Sequence, residues 1–184
     1  MALVAGGREK AFDELYGRYA PRMLAFFYRK LDRDEQKAQD FLQDLFLKIA
    51  EKPRYFDTSK TFVVWIYTVA YNLCKNEYRR KAIRGGGTGA PDLTALANLP
   101  DLSTTRIAEK LDHDLFIDSL HKALAGLDEK HQTAFILRYN DNLSIREISL
   151  VLECAEGTVK SRLFYALKKL SLELTVFDPH RQEK

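Results

Sequence analysis

The sequence predicts an all-α protein: two small helical domains joined by a flexible linker, the C-terminal one containing a helix-turn-helix. Three observations predict it. Apolar residues recur at three-and-four spacing over most of the chain, with no strand-like alternation of useful length. The stretch Arg84 to Ser103, RGGGTGAPDLTALANLPDLS, holds Gly85, Gly86, Gly87, Gly89, Pro91 and Pro100, a density that no helix survives. Finally, Ser144 to Leu170, SIREISLVLECAEGTVKSRLFYALKKL, reads as a helix, a four-residue break and a second helix loaded with basic and hydroxyl side chains. The expected division is a domain over 1–84, an acidic linker over 85–111 and a second domain over 112–184. If the 28 residues from Arg84 to Leu111 were flexible, their mean span would be about 30 Å.

The N-terminal helix carries Phe12, Leu15, Tyr16, Tyr19, Met23, Phe26 and Phe27 on one face, and Pro21 should kink or divide it. A second helix runs from about Asp34 to Lys52 with Phe41, Leu42, Leu45, Phe46 and Ile49 inward, and Pro53 ends it. Its other face offers Asp40, Gln43 and Asp44 beside Leu47 and Lys48. That polar, slightly acidic surface suits protein docking better than DNA. A third helix spans about Thr61 to Ile83, with Phe62, Ile66, Val69, Ala70 and Leu73 inward. Around it, Phe62, Trp65, Tyr67, Tyr71 and Tyr78 interleave with Lys60, Lys75, Arg79, Arg80, Lys81 and Arg84, and Glu77 is the sole acid from Lys60 to Arg84. Cations neutralise phosphates and release counterions, while aromatic rings stack on unpaired bases. The combination suits single-stranded or partly melted nucleic acid.

Further helices are expected near Asp112–Gly126 and Asp128–Tyr139. Ser144 and Glu147 then form an S-x-x-E capping box. Ile145, Ile148, Val151 and Leu152 share one face of the helix that follows. After the break at Glu153–Glu156, Val159, Leu163, Ala166, Leu167 and Leu170 face inward. The opposite face presents Thr158, Lys160, Ser161, Arg162, Phe164, Tyr165, Lys168 and Lys169. A helix-turn-helix requires this division between a face glued to a core and a face free to enter a major groove.

Composition bounds the function. The 184 residues are 46% hydrophobic, ample for folded cores, and the net charge of +3 with pI near 8.8 allows local basic patches without a uniform basic coat. Cys74 and Cys154 have no C-x-x-C or Cys/His spacing, so neither a zinc site nor a disulfide framework is expected. His113, His121, His131 and His180 show no metal or triad spacing. The expectation is a protein with no catalytic site, metal or cofactor. No apolar run reaches a membrane span and no signal peptide is visible, so a cytoplasmic protein without membrane insertion is expected.

These pieces together resemble one family across nearly the whole chain, the bacterial extracytoplasmic-function (ECF) sigma factors of the two-domain type. FDELYGRYAPRML, from Phe12, is similar to the opening of that family's region 2, and QDFLQDLFLKI, from Gln39, resembles its polymerase-docking segment. FDTSKTFVVWIYTVAYN, from Phe56 to Asn72, resembles the stretch that forms the −10 pocket, and the chain from Leu120 to Leu170 is similar to region 4. The resemblance implies a promoter-specificity subunit that binds core RNA polymerase through the β′ clamp helices and β flap, and binds promoter DNA, under control of an anti-sigma factor. It implies polymerase docking by Asp40, Gln43, Asp44, Phe46 and Leu47. It implies −10 recognition and melting by Phe56, Lys60, Thr61, Phe62, Trp65, Asn72, Lys75, Arg79 and Arg80. It implies −35 reading by Thr158, Lys160, Ser161, Arg162, Phe164, Tyr165 and Lys168. Two other readings remain. A stand-alone helix-turn-helix regulator would need a dimer and a palindromic site and leaves the aromatic-basic third helix unexplained. A helical protein that sequesters polymerase or a regulator leaves G-T-V-K-S-R-L, from Gly157, unexplained.

Overall fold

A computed structural model describes residues 1–53, 56, 57, 61–83 and 104–177, with side chains described for all of these except 104–114. Every regular element among them is helical: α1 Ala2–Ala5, α2 Glu9–Lys30, α3 Glu35–Glu51, α4 Phe62–Ile83, α5 Thr104–Ala125, α6 Glu129–Phe135, α7 Ile145–Val151 and α8 Glu156–Glu173. A π-helical turn, Ile136–Asn140, continues α6, and a 3-10 turn, Thr175–Phe177, follows α8. Most of the linker expected over 85–111 lies outside the described residues, but its last part does not. Helix α5 begins at Thr104, earlier than the expected Asp112.

The chain divides into two compact units, Met1–Pro91 with Ile136–Glu156, and Asp92–Phe135 with Gly157–Lys184. The division expected over 1–84 and 112–184 is thus modified in one respect: residues 136–156 belong to the same unit as the N-terminal helices.

In the first unit α2, α3 and α4 pack together, and α7 packs against α4. Asp34 caps α3, its side chain accepting from the Lys37 amide at 2.9 Å. Contrary to expectation, α2 is not divided at Pro21 but runs on to Lys30. An interior proline costs about 3 kcal/mol. Met23, Phe26 and Phe27, on the turns just after it, are fully buried, and each such side chain contributes about 1.5–3 kcal/mol. Burial therefore outweighs the lost hydrogen bond. Ring packing links the three helices, with Phe26 edge-on to Tyr67 at 5.5 Å and Phe27 edge-on to Phe41 at 5.6 Å.

The expected single helix over Asp128–Tyr139 is α-helical only to Phe135, then widens into the π turn. The Asp141 amide bonds to the Ile136 carbonyl at 3.1 Å, five residues back, and the Leu143 amide to the Leu137 carbonyl at 2.9 Å. Arg138 Nη1 clamps the exit by donating to the Leu143 carbonyl at 3.0 Å, and Asn142 takes the left-handed conformation that asparagine tolerates. The capping box at α7 is complete: Ser144 Oγ accepts from the Glu147 amide at 3.2 Å, and Glu147 Oε2 accepts from the Ser144 amide at 2.8 Å.

This turn delivers Asp141 into the interior, where it is 5% exposed. Arg22 Nη2 of α2 donates to the Asp141 carbonyl at 2.9 Å, and Arg29 Nη1 lies 3.7 Å from Asp141 Oδ1. The Arg22 guanidinium also sits 5.9 Å from the centre of the Tyr67 ring. Arg29 Nη1, the Tyr67 hydroxyl and Asp141 Oδ2 are all buried without a protein hydrogen bond of good geometry. Burial pushes the Asp141 carboxyl up to about 6, against the lowering effects of the Tyr67 hydroxyl and the Arg29 and Arg22 charges. The same burial, reinforced by Asp141, pushes the Tyr67 hydroxyl upward.

In the second unit Ala123 and Leu127 close on Ala166 and Leu170 of α8, with Leu120, Leu124, Phe135 and Leu174 around them. The Lys169 ammonium donates to the Gly126 carbonyl just beyond the end of α5, and Phe116 packs edge-on against Phe177 at 5.4 Å.

The sign of the pH dependence follows from the raised Asp141 carboxyl. Its protonated form is favoured in the fold, so its contribution is fully present below about pH 4 and is lost as pH rises through about 6. Asp141→Asn mimics the protonated form. It should be more stable than wild type at pH 7.5, by at most about 2–3 kcal/mol, with the gap closing near pH 4.5. Urea unfolding at both pH values checks this, and a gap that does not change with pH contradicts it.

Candidate nucleic-acid interface

Helix α4 has two working faces. Val64, Ile66, Tyr67, Ala70, Tyr71 and Cys74 are buried. Trp65, Asn72 and Arg79 recur every seven residues, which is nearly two turns, so they form one stripe about 21 Å long. Trp65 is half-buried, while Asn72, Asn76, Arg79 and Arg80 are exposed. The N-terminal end of the stripe is a nest of half-buried rings. Phe56 lies 5.4 Å from Trp65 and 5.7 Å from Phe62, Phe62 lies 5.6 Å from Trp65, and Tyr19 of α2 meets Phe62 at 4.9 Å. The nest pins the segment before α4 against the helix's first turn. Thr61 is exposed beside it, Lys75 is half-buried farther along, and Lys60 lies outside the described residues.

The C-terminal end of the stripe is positive because its one acid is committed elsewhere. Lys37 Nζ of α3 bonds Glu77 Oε1 at 2.7 Å. That hydrogen bond, aided by the charges of Lys37, Lys81 and Arg80, holds the Glu77 carboxyl below the usual carboxylate range. Lys81 pairs with Asp32 at 2.8 Å. Arg79 and Arg80 make no ion pair among the described residues and face solvent. Of the aromatics expected to interleave with these cations, Tyr67 is fully buried and Tyr71 nearly so. Both fall on the inner face by helical phase and serve the core. Tyr78 turns its hydroxyl to the carbonyl of buried Lys30, whose ammonium sits 5.1 Å from the Tyr78 ring. Trp65 and Phe62 remain the aromatic surface. Asn76, which sequence reasoning did not include, is exposed one turn beyond Asn72.

Helix α8 buries Val159, Leu163, Ala166 and Leu170 and exposes Thr158, Lys160, Ser161, Phe164, Tyr165 and Lys168, with Arg162 half-buried. Leu167, expected inward, is 43% exposed. The buried set has a strict three-and-four rhythm from Val159, and Leu167 falls one position past Ala166. Phe164 and Tyr165 stand 61% and 56% exposed with ring centres 5.6 Å apart, and Tyr165 meets His131 at 6.1 Å. Lys169 is turned back to Gly126, which leaves Lys160 and Lys168 as the outward ammoniums. A helix about 10–12 Å across with such a face matches the width of a major groove.

On α3, Asp40, Gln43 and Asp44 are exposed and Leu47 is 50% exposed. Phe46, expected in the same docking set, is 3% exposed, with its ring 6.1 Å from Phe12 and 4.7 Å from Tyr16. It supports that surface from beneath, because its helical phase matches Leu42 and Ile49. Among the described residues no three of His, Cys, Asp and Glu come together so as to hold a metal ion, and no helix is long and apolar enough to cross a membrane.

A helical chain with an aromatic-and-basic stripe on one helix and a groove-sized basic face on another defines a DNA-binding initiation factor with two contact surfaces. The family models agree: Sigma-70 region 2 matches residues 15–83, and Sigma-70, region 4 matches residues 117–170. The RNA polymerase sigma-H factor of Pseudomonas aeruginosa is 30% identical over 179 residues, covering 93% of this chain and 90% of the relative. The ECF RNA polymerase sigma factor SigL of Mycobacterium tuberculosis is 33% identical over 162 residues, covering 87% and 86%. The chain belongs to the sigma-70 family of bacterial RNA polymerase sigma factors, in its ECF group. Its fold is that of two solved structures. The sigma factor RpoE of Bartonella quintana, in complex with the anti-sigma factor NepR, matches with a TM-score of 0.69 at 23% identity, over 91% of this chain and 98% of that one. CnrH, in complex with the cytosolic domain of CnrY, matches with a TM-score of 0.68 at 22% identity, over 95% and 94%.

Proposed function

We propose that this chain directs core RNA polymerase to its promoters and begins melting the DNA there, released for that task by an anti-sigma factor. The observation that carries this reading is the α4 stripe, where ring nest, exposed amide and unpaired arginines follow one another along a helix. A duplex reader has no need of such a stripe; a protein that captures an unpaired strand does. The NepR-bound relative supports an anti-sigma factor as the regulator.

The division of labour follows the two family segments, over 1–84 and 112–184. Asn72 offers a donor and an acceptor to the edge of an extruded base. Trp65, Phe62 and Phe56 supply apolar surface against which its ring can lie, worth about 1–3 kcal/mol per stacked base, with Thr61 at the rim. That offsets the few kcal/mol of unstacking and keeps the strands apart. Arg79, Arg80 and Lys75 hold the flanking phosphates, and Lys60 would join them. On α8, Lys160, Ser161, Arg162 and Phe164 read base edges in the −35 duplex, and Thr158, Tyr165 and Lys168 meet its backbone. Asp40, Gln43, Asp44 and Leu47 dock on the β′ clamp helices, with the β flap as the second polymerase contact. The protein performs no bond chemistry of its own, and its work on chromosomal DNA takes place in the cytoplasm.

Core polymerase should retain the wild-type chain in a pull-down and support run-off transcription with it. Asp44→Lys should weaken that retention with the helical circular dichroism intact, and wild-type retention removes the α3 face from the contact. Arg162→Ala should cost about 1–3 kcal/mol in binding a −35 duplex. An unchanged footprint for both Arg162→Ala and Lys160→Ala sinks the −35 assignment. Asn72→Ala should impair strand opening, read by permanganate reactivity of unpaired thymines, more than closed-complex binding. Equal opening and equal binding to a pre-melted bubble would place the pocket elsewhere.

A further inference from the structure

The Asp141 centre plays no part in the DNA or docking surfaces, yet it is the most concentrated set of buried polar groups among the described residues. Asp141 lies in the stretch matched by the region 4 model, whereas Arg22, Arg29 and Tyr67 lie in the stretch matched by region 2. We propose that the notch formed by Arg22 and Arg29 of α2 and Tyr67 of α4 is a docking surface whose occupant in the free chain is its own Asp141 turn, and that this contact must part before the protein engages a promoter.

Three observations support it. The contact is specific: the Arg22 guanidinium reads the Asp141 backbone carbonyl at 2.9 Å while Arg29 approaches the carboxylate at 3.7 Å, so side chain and main chain are recognised together. It is also built to separate. Arg29 Nη1, the Tyr67 hydroxyl and Asp141 Oδ2 are buried without good hydrogen bonds. A buried ionic contact of this kind fixes register at little gain in stability, where an apolar one would hold tighter. Finally, the contact is incompatible with the promoter-bound state, a step that rests on the reading proposed above. The −10 and −35 elements lie roughly 25 base pairs apart, about 85 Å along B-DNA. Twenty residues separate Asp141 from Ser161 of the reading helix. They span at most about 70 Å fully extended and about 30 Å as helices. With Asp141 seated against α2, α8 cannot reach −35 while α4 lies at −10.

The test uses the full-length chain with Cys154→Ser and spin labels at two exposed positions, Glu14 of α2 and Leu150 of α7. Double electron–electron resonance should give one short distance population for this background. Asp141→Lys, which sets a cation against two arginines, should shift it to long distances. Arg22→Ala, acting from the other side, should do the same, and Arg22→Lys, which keeps a donor, should stay closed. Opening should raise affinity for a −35 duplex fragment by about tenfold, the scale of one charge-assisted hydrogen bond. Unchanged distances in both opening variants overturn the latch, as does opening without any gain in duplex affinity. If wild type and variants alike bind neither core polymerase nor promoter DNA, the promoter reading itself fails and the latch falls with it. If wild type transcribes while the distances stay fixed, the latch alone is wrong.

Discussion

Much of this structure depends on a single demand placed on α4, which must be core and surface at once. Each residue of a helix turns by about 100°, so two programmes can share one segment only if they keep to separate phases. Ile66, Tyr67, Ala70 and Cys74 hold the inner phase and are completely buried. Trp65, Asn72 and Arg79 hold the outer one. The inner set anchors α2 and α7, and that rigidity aims the outer set. A recognition amide on a loop would lose ordering entropy on every encounter with DNA; on a buried helix that cost is met when the chain folds.

Charge is arranged with the same economy. Only a few of the cations on α4 and α8 are left for nucleic acid, because others are turned inward. Lys37 occupies Glu77, Lys81 takes Asp32 and Lys169 caps the end of α5. The exposed pairs among these contribute little to stability. Their effect is to leave Arg79 and Arg80 with no competing carboxylate nearby and to set Lys168 apart from Lys169 as an outward charge. This is how a chain of net charge only +3 presents two distinctly basic surfaces.

Local chemistry was legible in the sequence; long-range contacts were not. Helix α3 and its Asp34 cap, the Ser144–Glu147 box and the inward faces of α7 and α8 follow from short-range rules that the fold obeys. Phe46 and Tyr67 were misassigned because an aromatic on an amphipathic helix suits either face until its partners are known. Their partners are Phe12 and Tyr16 for one, Phe26 for the other, all distant in sequence. Pro21 broke a local rule because burial on the following turns outweighed it. The Asp141 centre had no signature at all: an aspartate before Asn142 and Leu143 reads as an ordinary turn, and nothing local reveals that two arginines some 110–120 residues earlier enclose it.

The π turn at Ile136–Asn140 has a consequence for how this family segment can vary. It accommodates one residue more than an α-helix would hold in the same rise. Deleting a single residue there would let the helix relax to ordinary geometry, and everything downstream would be rotated by about 100°. Asp141 would swing away from α2, and α7 would present Ser149 or Leu150 where Ile148 now sits. The loop is therefore intolerant of length change even though most of its side chains are replaceable. Drift in this stretch should proceed by substitution rather than by gain or loss of residues, with the extra residue acting as a phase key that keeps the later helices in step with the earlier ones.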